Sequence, residues 1–251
     1  MTSRVSRDYV LPIQNFPKSN TCSIGGVLME RKIAALFVDE KGIYSNLPHV
    51  EAWGVNKDAR KYNGPYPVVA HPPCERWGSF WRGSIRRGTP NHKLGDDDGC
   101  FESALDSVRK YGGVIEHPRN SKAWQWFGIK KPNYKGGWVV ADTYGGFTCC
   151  VEQCHYGHLA AKPTWLYAYN VKLPNLIWGH GYVERIVSSA GKGYQAMQLF
   201  DDNEELYKRT WDKEITKKER SATPIGFRDL LIGIAQTAGT IERPQTLFAI
   251  E

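Results

Sequence analysis

The sequence predicts an α/β fold, a Rossmann-like, open and twisted sheet that is mostly parallel and carries a small annex near residues 170–222. Three observations predict it. Short apolar runs rich in β-branched and aromatic residues, "KIAALFV", "PVVAH", "GGVIEH", "GGWVVAD", "FTCCVEQ" and "PTWLYA", are bounded by Gly, Pro and Asp, as buried strands are. One strongly periodic helix separates the second run from the third, which makes a βαβ unit with parallel strands that are adjacent or nearly so. At 251 residues, with no strong linker, the chain has room for one large core.

Residues 1–31 mix Ser, Asn, Pro and Gly without a sustained period and read as a loosely attached arm; residues 32–251 read as one α/β domain. In "DDDGCFESALDSVRKYGG" the apolar residues Phe101, Ala104, Leu105, Val108 and Tyr111 recur at helical spacing, aspartates precede them, and Gly112 can terminate the helix. A second helix is expected at "NSKAWQWFG". A last one is expected in "SATPIGFRDLLIGIAQTAG", with Thr223 as N-cap, Pro224 in the first turn and Gly239 as terminator. Residues 170–222 join a glycine- and aromatic-rich stretch to a charged, helix-like one, and read either as a recognition element or as a structural insertion.

The formal charge of +7 is compatible with an anionic partner such as nucleic acid, and nine Trp and thirteen Tyr could supply stacking surfaces, although most such rings are core. No apolar run is long enough to span a bilayer and the first thirty residues lack a signal peptide's apolar centre, so a cytoplasmic protein without a membrane partner is expected. Six cysteines are too sparse for a disulfide framework, which leaves each a thiol, a ligand or a nucleophile.

In "VVAHPPCERWGSFWRG", Cys74 follows two prolines at the end of a strand, and Arg76, Arg82, Arg86 and Arg87 lie downstream, where positive charge would favour a thiolate. The βαβ unit puts Glu116 at the carboxyl end of the next strand, on the edge where open α/β sheets bind ligands. A cysteine and a carboxyl suit a pyrimidine, with sulfur adding at C6 and the acid holding N3. The bland alternative is a small buried thiol beside an ion-paired carboxylate. Metal is not expected: Cys149 and Cys150 are adjacent in a strand and face opposite sides, and Asp96–Asp98 suit a helix start. The segment "SFWRGSIRRGTPNHK" is the best basic and aromatic patch, either a solvated loop or a nucleic-acid contact.

The order "AHPPC", "GGVIEHP", "VEQCHYGHLAAKPTWLYA" and "RSATPIGFRDLLIGIA" resembles DNA cytosine-5 methyltransferases, especially the small phage-borne forms, over roughly Val68–Ala168 and Arg220–Ala235. The resemblance implies DNA as partner, a flipped cytosine as target, Cys74 as nucleophile and Glu116 as the acid that holds the base. It implies base or DNA contacts for His71, Pro73, Arg76, Trp77, Trp81, Arg82, Arg86, Arg87, His117, Gln153, His158 and Lys162, with the aromatic loop after Cys74 closing over DNA. His117 stands where the family has Asn. S-adenosylmethionine is implied as cofactor, on a turn formed here by Phe37, Asp39 and Gly42. That turn departs from the family's Phe-x-Gly-x-Gly pattern, since Gly42 alone supplies the conformational freedom that close backbone approach needs. Two alternatives stay open: a pyrimidine-modifying enzyme independent of that cofactor, and a DNA-binding or anti-defence protein on a degenerate methyltransferase scaffold.

Overall fold

The computed structural model describes residues 23–24, 27–28, 31–83, 88, 91–181 and 216–240. Most of the expected arm and residues 182–215 of the expected annex therefore lie outside the described residues, as do Arg86 and Arg87. Within the arm, Ser23–Ile24 pairs antiparallel with Val27–Leu28, and the Arg31 guanidinium donates to the Ala238 carbonyl.

Seven strands form one mixed sheet: β1 (Ile33–Leu36), β2 (Val50–Trp53), β3 (Val68–Ala70), β4 (Gly113–Pro118), β5 (Val139–Val140), β6 (Phe147–Glu152) and β7 (Pro163–Tyr169). Their order is β2-β1-β3-β4-β7-β6-β5. The neighbours β2/β1, β1/β3 and β3/β4 are parallel, whereas β4/β7, β7/β6 and β6/β5 are antiparallel. The sheet is thus mixed where the sequence predicts a mostly parallel one. The reason is connection length: residues 153–162 and 141–146 are too short for the crossover of about a dozen residues that a parallel return needs, so β6 and its neighbours fold back on one another. Strand β2 has no counterpart among the expected runs, because "VEAW" is a half-buried edge strand carrying a carboxylate.

Side-chain alternation divides the core in two. Ala34, Leu36, Val68, Ala70 and Ile115 face α1 (Cys100–Tyr111) and α2 (Lys122–Trp126), packing on Phe101, Leu105, Val108 and Trp124. Ile33, Ala35, Val69, Val114 and Leu166 face the opposite way, where Phe227, Leu230, Leu231 and Ile234 of α4 (Ile225–Gln236) cover them. Between Thr216 and α4 lies α3 (Lys217–Ser221), which begins with a capping box of Thr216 and Glu219.

Helix α1 starts and stops on the expected signals. Asp97 Oδ2 accepts the Phe101 N–H at 2.9 Å, and Gly112, at φ 79°, closes the last turn with its N–H on Val108. Helix α4 begins one residue later than predicted, with Pro224 rather than Thr223 at the N-cap position and no side-chain cap. No helix among the described residues is long and apolar enough to cross a membrane.

Candidate active site

The chain leaves β1 to form β2 on one side, then returns to form β3 on the other side of β1. Such a reversal opens a crevice at the carboxyl ends of the strands, and the candidate site is built on that edge. The His71 N–H donates to the Leu36 carbonyl at 3.0 Å, carrying the β1/β3 ladder one residue past β3. Pro72 is buried and Pro73 exposed, and both fix the backbone before Cys74. The Cys74 carbonyl then accepts the N–H groups of Trp77 (3.0 Å) and Gly78 (2.9 Å), so the chain turns sharply behind a half-buried thiol.

Glu116 lies in β4 beside that turn, in register with Leu166 of β7. Its side chain is 12 % exposed, and both carboxylate oxygens are held. His71 Nδ1 donates to Oε2 at 2.9 Å, and Gln153 Nε2 donates to Oε1 at 3.3 Å and to Thr164 Oγ1 at 3.0 Å. Gln153 is fully buried, yet its Oε1 has no hydrogen-bond partner among the described residues. A buried acceptor beside a clamped carboxylate is a place for a ligand's N–H.

Burial by itself would raise the Glu116 carboxyl. The hydrogen bond from His71 and the positive charge of His71 and Lys162 outweigh it, holding the group down at about 2. Cys74 moves the other way, because burial and then the Glu116 charge push its thiol up, while Lys162 opposes them. Lys162 is itself lowered by burial against the pull of Glu116 and Cys74, and its Nζ donates to the Ala222 carbonyl at 3.0 Å. Lys162, one residue before β7, is the cation whose charge opposes the rise of the thiol. The expected cations, Arg76, half-buried, and Arg82, exposed, project from the loop and are not among the charges that set the thiol.

Several expected contact residues are structural instead. His117 follows Glu116 by one position and so points through the other face, 1 % exposed between Phe101 and Trp124, with Nδ1 2.7 Å from Ser121 Oγ. It lies beneath the Pro72 and Pro73 carbonyls, and neither bonds Nε2 with normal geometry. Trp77 is 1 % exposed, packs on Phe101, Trp126 and Phe127, and donates Nε1–H to Asp97 Oδ2 at 2.8 Å. It anchors the loop rather than closing over DNA. His158 is buried with Nδ1 on the Ala160 carbonyl at 2.7 Å, so it braces the turn between β6 and β7. Phe80, 79 % exposed, and Trp81, with the Arg82 guanidinium 4.9 Å from its ring centroid, remain at the surface.

A prediction follows from His117. Burial pushes its ring from 6.5 to about 4, against the opposing effect of Glu116 and the two proline carbonyls. Below pH 6.5 the unfolded chain takes up a proton that the folded chain refuses until about pH 4, so stability falls as pH drops through that window. The loss is at most about 1.4 kcal/mol per pH unit for one proton. Urea unfolding at about pH 7 and about pH 5 should show this loss in the wild type and a smaller one in His117→Gln.

The segment assigned by resemblance to S-adenosylmethionine does not fit it. Asp39 closes its own turn, accepting the Gly42 N–H on its carbonyl and the Lys41 N–H on Oδ1, both at 2.9 Å. A Cβ on Gly42 would meet the Asp39 carbonyl oxygen at 3.0 Å and Asp39 Cβ at 3.1 Å, so the space beside this glycine belongs to Asp39. Glu40 spans from the end of β1 to the end of β2, accepting from Gly54 N (2.9 Å), Asn56 Nδ2 (2.7 Å) and Lys57 N (3.1 Å). The two loops approach so closely that a Cβ on Gly54 would stand 2.5 Å from the Val38 carbonyl oxygen. On the other side of β1, Tyr44 is 3 % exposed, with its hydroxyl 2.8 Å from His71 Nε2. Phe37, at φ 59°, is half-buried against the α1 face. Glu40 bridges the two loops on one side of β1, and the buried Tyr44 occupies the other.

Tyr44 and Thr164 complete the site and have no signal in the sequence. Tyr44 is a single tyrosine in an irregular loop, 27 positions from His71, and Thr164 looks like any other strand threonine. A second polar cluster lies at the end of β6, where His180 Nδ1 donates to Glu152 Oε1 at 2.8 Å and Gly181 N donates to Oε2 at 3.3 Å, fastening the segment before residue 182. Cys149 and Cys150 face opposite core halves, and no group of three His, Cys, Asp or Glu side chains is arranged around a metal among the described residues. The chain matches no protein-family model, and no curated protein is significantly similar to it.

Proposed function

We propose that the protein activates C5 of a pyrimidine in DNA, cytosine by preference, through reversible addition of Cys74 at C6. One observation carries the reading: the thiol and the clamped Glu116 carboxylate lie towards the carboxyl ends of adjacent parallel strands, with the Lys162 charge acting on both and the unsatisfied Gln153 acceptor on the amide that holds Glu116. Cys74 Sγ bonds to C6 while its hydrogen leaves to water. The ring electrons run through C4 to N3, where a proton held by Glu116 meets them, and C5 becomes nucleophilic. A proton from water adds at C5, which then carries two hydrogens; water removes the original one, the electrons of that C5–H bond expel the Cys74 thiolate from C6, N3 returns its proton to Glu116, and the ring keeps the solvent hydrogen. No step is routed through a methyl donor. Exposed Phe80, with Trp81 and Arg82 on the loop that follows Cys74, suits a strand whose base has left the stack.

The test is DNA incubated with the full chain in heavy water, followed by mass spectrometry of its nucleosides. Deuterium at C5 supports the reading, whereas unlabelled pyrimidines in DNA that the protein binds would sink it. Lys162→Met should slow exchange by about 10- to 100-fold, since the mutant lacks the charge that favours the thiolate. The defect should shrink towards alkaline pH, where the thiol ionises without help. The raised thiol favours a second reading, a DNA-binding protein that holds a base without reacting, for which Cys74→Ser changes nothing.

A further inference from the structure

We propose that Tyr44 and His71 form a relay that supplies Glu116 with the proton it places on N3, which makes His71 a positioning residue of the reaction. This rests on the base-holding role given to Glu116 above. Neutral cytosine carries a lone pair and no hydrogen at N3, and a carboxylate accepting from His71 and Gln153 has no hydrogen to offer. The groups facing Glu116 narrow the source. The Gln153 amide does not release a proton, Lys162 is tied to the Ala222 carbonyl, and His117 is kept neutral by burial behind the sheet. Cys74 loses its own hydrogen in the addition. His71 remains, with Nδ1 2.9 Å from Oε2.

Tyr44 sets which hydrogen of His71 can move. Its hydroxyl is 2.8 Å from Nε2 and its ring packs against the imidazole with centroids 5.5 Å apart. Burial and the Glu116 charge, with Asp229 adding to them and Arg228 opposing, keep the hydroxyl a neutral phenol. In the imidazolium, Nε2–H is therefore bonded to Tyr44 Oη and Nδ1–H to Glu116. The Nδ1 proton passes to Oε2 and is shared with N3, and His71 is left neutral with its hydrogen on Nε2. The pair begins as one cation and one anion and passes through two neutral groups, and elimination returns the N3 proton through Oε2 to Nδ1 while the thiolate regains its hydrogen from water. The loop bearing Tyr44 is pinned by Arg228, whose guanidinium donates to the Ile43 carbonyl at 2.9 Å. The stretch that would cradle a nucleoside cofactor carries the relay in its place.

The experiment is the pH dependence of heavy-water exchange by the full chain. His71→Gln should be about 100-fold slower with a pH profile that differs from the wild type's, and Tyr44→Phe about fivefold slower. In the Glu116→Gln background, whose amide brings its own N–H to N3, adding His71→Gln should cost less than about twofold. A structural role for His71 would cost the same in both backgrounds. That result, or a His71→Gln profile parallel to the wild type, overturns the relay while Cys74-dependent exchange leaves the reading of the site standing. Should His71→Gln melt well below the wild type, an unchanged rate and profile in Tyr44→Phe overturns the relay instead. A wild type that binds DNA without exchange overturns both.

Discussion

Cys74→Ser should abolish C5 hydrogen exchange, by about 10⁴-fold or more, with DNA binding and thermal stability kept. The hydroxyl fits where the thiol does, because the turn is made by backbone groups, the Cys74 carbonyl accepting from Trp77 and Gly78. What changes is the nucleophile. An alcohol is a far weaker acid than a thiol, and a half-buried position next to the Glu116 carboxylate disfavours a second anion further. Lys162 can offset that cost for sulfur and not for oxygen. Exchange by Cys74→Ser at more than about one percent of the wild-type rate would remove the covalent step from the proposal.

The second large effect is on folding. Trp77→Ala should destabilise the protein by about 3–5 kcal/mol, as removal of a buried large side chain does, and should lower exchange even where the chain remains folded. The indole fills the space between Phe101, Trp126 and Phe127, and its removal strips Asp97 of one donor beneath α1. The Trp77 backbone also matters, since its carbonyl accepts the Lys122 N–H at 2.9 Å and so joins the Cys74 turn to the start of α2. Urea unfolding measures the loss. Trp77→Phe should recover part of it, because it keeps much of the packing and none of the bond to Asp97; a Trp77→Ala loss below about 1 kcal/mol would mean that the loop is anchored elsewhere.

What each residue does at the candidate site depended on whether its role was local. That Cys74 and Glu116 stand near one edge of the sheet was legible, because one follows and the other lies in a recognisable strand and the helix between them dictates parallel neighbours. Trp77 and His117 were misplaced for the same kind of reason. An aromatic next to arginines looks exposed in sequence, and a histidine next to a catalytic-type glutamate looks like its companion. Yet the turn buries the first, and strand alternation sends the second to the opposite face. The mixed sheet was missed because the apolar runs announce strands and not their directions, which the short links around β6 set.

The sequence by itself determined the α/β class, the βαβ unit, helix α1 with its aspartate start and glycine stop, and the edge on which Cys74 and Glu116 meet. These follow from periodicity, capping and chirality, which act over a few residues or one crossover. Only the tertiary structure decided which groups touch Glu116, that the Lys162 charge opposes the rise of the thiol, that Glu40 bridges the ends of β1 and β2, and that Tyr44 meets His71. Those are contacts between side chains far apart in the chain, and their strength is set by burial, which no local pattern encodes.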